Sequence, residues 1–189
     1  MKRILTLCNR VGCVIVVVCF FTGCATNLTK PSSSPRPSKV KFGEFSNVEV
    51  KAVGISESFA SSGANQKALK KIDELVFRDL RMVFPNMKRI ESGSDFPKAE
   101  GRTLQITPLV KEIKFIGGNA RFWVGAMAGS SAVLMQTTYR DSSTGEVIAE
   151  PEFYRAAGAY SGALSIGSTD NNMLDQIAQD VVNYTTLNR

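Results

Sequence analysis

The chain has 189 residues, with 23 Lys and Arg against 17 Asp and Glu, no histidine and four cysteines. That length suits one domain of ordinary size, and 43% hydrophobic with 21% charged residues is a globular composition, not that of a disordered or polytopic membrane protein. Without histidine there is no Ser-His or Cys-His nucleophile pair, and the commonest general base and metal ligand are missing.

Residues 1–24, MKRILTLCNRVGCVIVVVCFFTGC, place Lys2, Arg3 and Arg10 ahead of an apolar run from Val11 to Phe21. The charged start and short hydrophobic core predict a secretory signal peptide over 1–23, because a stable membrane span needs roughly 20 apolar residues. Phe21-Thr22-Gly23-Cys24 resembles the bacterial lipobox, in which small residues precede the cysteine that becomes the lipidated N-terminus. Phe21 stands where that signature usually has an aliphatic residue. Ala25-Thr26-Asn27 carries no aspartate at the second mature position, the pattern of sorting to the outer membrane. Cys8, Cys13 and Cys19 fall inside the signal segment and no cysteine follows Cys24, so the mature chain has no disulfide or cysteine-ligated metal. Loss of Lys2, Arg3 and Arg10 also lowers the net charge of +6, which weakens any case for nucleic acid.

Residues 24–41 are expected to be the lipidated cysteine and a flexible, Ser/Pro-rich tether, with a single domain over 42–189. Val48 to Val53 alternates apolar and polar residues at period two and predicts a strand ending near Gly54. After a loop at 56–65, Leu69, Ile72, Leu75, Val76, Leu80 and Val83 recur at helical spacing, and Pro85 ends the helix. Its charged residues, including Lys67, Lys70, Lys71, Asp73, Glu74, Arg78 and Arg81, fall mainly on the other face and read as solvated.

A short strand follows at Met87–Ser92, and Thr103–Phe115 alternates again, with Pro108 expected at a sheet edge or a bulge. Val133–Arg140 and Glu146–Tyr154 flank the turn residues Asp141 to Gly145 as a hairpin. The paired carboxylates Asp141/Glu146 and Glu150/Glu152 read as solvated charges rather than acid/base pairs. Gly158–Asp170 reads as a loop, after which Asp170 or Asn171 caps a last helix lined by Leu174, Ile177, Ala178, Val181 and Tyr184. The expected fold is α+β: a mainly antiparallel sheet of four or five strands with two amphipathic helices, in the order β-α-β-β-β-β-α.

The stretch Thr103–Arg189 resembles the domain-of-unknown-function family 4410 of bacterial lipoproteins. The residues that carry the likeness are Gly117 or Gly118, Arg121, Gly125 and Gly129, then Asp141, Thr144, Gly145, Glu146 and Val147, then Gly158 and Gly162, and Ile177-Ala178. Ala126 and Met127 depart from the family's usual glycine-rich form. The resemblance implies a bacterial envelope lipoprotein and transfers no catalytic residue.

Ile116–Ser130 contains neither phosphate-loop spacing, Gly-x-Gly-x-x-Gly nor Gly-x-x-x-x-Gly-Lys. Glycines at 125 and 129 beside Phe122 and Trp123 point instead to close backbone packing, within the domain or against a partner. Ser165 lacks both the elbow spacing and a histidine to activate it. The expectation is therefore a non-enzymatic, lipid-anchored protein of the outer membrane facing the periplasm, with no cofactor or metal. It would be held through Cys24 and would contact an envelope protein or its own copies through Arg121, Phe122, Trp123, Gly125 and Gly129. The alternative is a periplasmic module binding an envelope polymer or anionic lipid through the basic face of the first helix.

Overall fold

A computed structural model describes residues 28–98, 101–116, 130–157 and 168–189. After a 3-10 turn at Phe42–Glu44 come β1 (Asn47–Lys51), β2 (Gly54–Ile55), α1 (Glu57–Ala60), α2 (Gly63–Val83), β3 (Lys88–Ile90), β4 (Thr103–Lys114), β5 (Ala132–Asp141), β6 (Val147–Ala149), β7 (Glu152–Ala156) and α3 (Ser168–Leu187). The class is α+β, as the sequence predicts. One sheet runs β3-β1-β4-β5-β6, with β2 continuing β1 along β4 and β7 continuing the β6 edge along β5.

The sheet is mixed, which corrects the mainly antiparallel expectation: β1 pairs parallel with β3 and β4, and β2 parallel with β4. Only the ladders made by β5 are antiparallel. The cause lies in the connections. A 21-residue helix returns the chain to the start of β3, giving a crossover, and the loop after β3 carries it back again before β4 begins on the other side of β1.

Pro108 corrects the edge expectation in a similar way, since β4 is an interior strand. Pairing of β1 with β4 stops at Ile106 and that of β2 resumes at Leu109, so Pro108 faces the break at Ala52-Val53. On its other side the opposing Thr137 N–H donates to Pro151 O and not across to Pro108. The missing proline N–H therefore leaves no ladder bond unmade.

Both long helices cover one face of the sheet in a single core. Ile72, Leu75, Val76 and Leu80 of α2 and Leu174, Ile177 and Val181 of α3 pack on Val50, Ile106, Val110, Val133 and Met135. The opposite face carries polar residues such as Gln105, Thr138 and Arg140. The 56–65 stretch read as a loop contains α1, and the Ser62 hydroxyl caps α2 by accepting from Asn65 N.

Two acidic residues read as solvated are structural. Asp73 accepts from Val53 N–H at 2.9 Å, at the break between β1 and β2, and from Arg89 of β3 at 2.6 Å. Asp141 is 2% exposed. It accepts from Ser143 N–H and hydroxyl and from Arg102 Nε, closing a turn in which Gly145 has φ +72°. Burial opposes its charge, but the Ser143 and Arg102 hydrogen bonds outweigh that and hold the carboxyl below its ordinary value.

These roles separate residues that look alike in the sequence. Asp73→Ala should cost about 1–3 kcal/mol in urea unfolding, because Val53 N–H and Arg89 lose their acceptor, whereas Glu74→Ala should stay within about 0.5 kcal/mol. Asp141→Asn should destabilise by about 1 kcal/mol at neutral pH. A lowered folded-state pKa adds stability above the unfolded value and loses it as pH falls, so stability curves of wild type and Asp141→Asn should converge below about pH 4.

Candidate functional site

Cys24, Arg121, Phe122, Trp123, Gly125 and Gly129 all lie outside the described residues, as do the signal segment and most of the Gly158–Asp170 stretch. The structure instead defines the stem from which those segments depart. β4 and β5 pair out to Lys114↔Ala132, and β5 and β7 out to Ala132↔Ala156. Beyond the ladders, Ile116 N–H donates to Ser131 Oγ at 3.0 Å and Ala157 N–H donates to Ser131 O at 2.8 Å. Ile116 and Ala157, the last described residues before the 117–129 and 158–167 stretches, thus both bond to Ser131.

That stem is braced from the helix layer. Asn65, in the first turn of α2 and 6% exposed, donates to Phe59 O and Ile113 O and accepts from Phe115 N–H. One buried amide thereby fixes both the start of α2 and the end of β4. Sequence reasoning missed Asn65, because its partners Ile113 and Phe115 lie about fifty residues away. The one local signal was its place three residues after the capping Ser62.

A bulge between Val110 and Glu112 turns the end of β4, and Lys111 forms an ion pair with Glu152 at 2.6 Å. Glu112 accepts from the backbone N–H of Thr29 at 2.8 Å, so the N-terminal segment reaches the same end of the sheet. Arg155 of β7 holds Asp180 of α3 through two 2.6 Å bonds, tying the last strand to the last helix. The stem is a hydrogen-bonded junction with ion pairs around it.

Two hollows lie elsewhere. One, of about 650 Å³, opens between the Ser/Pro segment and the β6–β7 edge and is lined by Ser33, Arg36, Gln136, Glu150 and Pro151 among others. The other, about 380 Å³, runs between α2 and α3 past Val83, Val182 and the exposed Met82. The basic side chains Lys67, Lys70 and Lys71 are exposed on α2. Arg78 is paired with Asp79, and Arg81 stacks over Phe77 at 5.4 Å, so the basic face is partly neutralised. Among the described residues no cluster of three or more His, Cys, Asp or Glu could hold a metal ion, and no helix is long and apolar enough to cross a membrane.

The chain matches no protein-family model and no curated protein. Solved structures similar to it include the PelC dodecamer of Paraburkholderia phytofirmans, at 14% identity over 83% of this chain and 93% of that chain, TM-score 0.41. A Xanthomonas campestris protein of the domain-of-unknown-function family 330 is similar at 12% identity over 86% of this chain and 91% of that one, TM-score 0.44. A candidate lipoprotein of Caulobacter crescentus is similar at 10% identity over 72% and 89%, TM-score 0.34. Similarity at these values carries no residue role across.

Asn65→Ala should therefore destabilise the protein by about 2–3 kcal/mol, since it leaves Phe115 N–H and two carbonyl groups without their partner. Hydrogen exchange should show the loss spreading to the Ile113–Ile116 amides before the β1–β3 pairing opens.

Proposed function

We propose that the protein is a lipid-anchored binding module of the bacterial envelope, held by acylated Cys24 in the outer membrane and facing the periplasm. It acts by protein contact or self-association through the connection carrying Arg121, Phe122, Trp123, Gly125 and Gly129. The observation that supports this reading most is the junction at Ser131: it brings together Ile116 and Ala157, the described residues next to both glycine-rich connections, at the end of the sheet that the N-terminal segment also reaches. A tryptophan offers a large contact area for few rotatable bonds, which favours Trp123 as an interface anchor.

The rival reading, binding of an envelope polymer or anionic lipid through α2, is favoured by the exposed Lys67, Lys70 and Lys71. The two separate by mutation. Trp123→Ala should reduce cross-linking between copies or to an envelope protein at least tenfold and leave vesicle binding of the unlipidated domain unchanged. Lys70→Glu/Lys71→Glu should do the reverse if the rival holds. Alkyne-palmitate labelling of cells should mark the wild type and not Cys24→Ala; a wild type without label would sink the anchor.

A further inference from the structure

We infer that residues 28–41 form a strap that sets the domain's orientation on the bilayer, with the end of the sheet bearing Glu112, Lys114 and Ser130 turned toward the lipid surface. The inference rests on lipidation of Cys24 and deepens that reading by assigning which end of the domain meets the membrane.

The strap is bonded at both ends. From its C-terminal end, Lys39 N–H donates to Ile148 O of edge strand β6 at 3.1 Å, and Ser38 N–H donates to Asn188 Oδ1 at 2.8 Å. Arg36 O accepts from the Tyr184 hydroxyl at 2.7 Å. Lys30 and Pro31 line a hollow with Phe153, Tyr154 and Asp180, and Thr29 N–H ends the path on Glu112 at 2.8 Å. Pro31, Pro35 and Pro37 limit the conformations available to the undocked segment, which lowers the entropy lost on docking.

Chain length then fixes the geometry. A free tether from residue 24 to 41 could extend to about 60 Å and let the domain tumble, whereas the few residues between Cys24 and Thr29 span at most about 18 Å. The Glu112 end must therefore stay close to the acyl chains. The opposite end, at the Ser142–Gly145 turn, lies about 30 Å farther along the strands. Lys30 and Lys114 have no carboxylate partner among the described residues and flank Glu112 with charge suited to phosphate headgroups.

No cysteine follows Cys24, so one introduced at Lys114 or Thr144 is the only free thiol of the lipidated protein. Lys114→Cys and Thr144→Cys, each labelled with a fluorescent donor, would be reconstituted in phosphatidylethanolamine/phosphatidylglycerol vesicles carrying a headgroup-linked acceptor. Energy transfer should be strong at 114 and several-fold weaker at 144. Equal transfer from protein that still floats with the vesicles would overturn the strap and leave the lipoprotein reading intact. Failure to float, with no acyl mass on Cys24, would overturn both. Replacing 31–37 with a Gly/Ser repeat should keep flotation and equalise the two positions; a difference that persists would show that the strap does not set the orientation.

Discussion

The rest of the structure depends on a cluster of aromatic rings. Phe42, fully buried, stacks on Tyr139 of β5 at 4.6 Å and 14°, and Tyr184 of α3 lies 5.6 Å from Tyr139. Phe153 of β7 meets Tyr184 edge-on at 6.0 Å. Such rings bury large apolar areas and prefer offset or tilted arrangements, so a single cluster joins the N-terminal segment, the antiparallel half of the sheet and the last helix. The two hydroxyls find partners, Tyr139 with Thr185 and Tyr184 with Arg36 O, so the cluster is satisfied as well as buried.

From that cluster the architecture extends two ways. Towards β3 the sheet is parallel and held by α2, where Asp73 bridges the β1–β2 break and the β3 edge. Towards β6 it is antiparallel, and Lys39 N–H of the N-terminal segment bonds to Ile148 O on that edge. The two halves meet at β4, whose far end is fixed by Asn65 through Ile113 O and Phe115 N–H.

Much of this was legible from periodicity alone. Every apolar residue assigned to α2 packs in or against the core, and those of α3 from Leu174 to Tyr184 are buried, because a helix face repeats locally in the sequence. The β5 hairpin was legible for the same reason, with its turn written in Asp141 to Gly145. Parallel pairing was not, since it depends on where a crossover lands. Asp73 and Glu74 looked equivalent until Val53 and Arg89 came into reach of one of them. The Ser/Pro segment read as a free tether because its composition offers almost nothing to bury. Its docking uses backbone groups and the side chains of Tyr184 and Asn188, which composition does not reveal. The residues expected to contact a partner lie outside the described segments, which resume on either side of them at Ile116 and Ser130.

The N-terminal segment belongs to the fold. Amide hydrogen exchange of the mature chain tests it most directly, because the N–H groups of Ser38, Lys39 and Phe42 donate to Asn188 Oδ1, Ile148 O and Asn188 O. These three amides should be protected nearly as well as those in the last turns of α3, while Ser32–Ser34 exchange quickly. Exchange of all of residues 28–41 at random-coil rates, with α3 still protected, would contradict it.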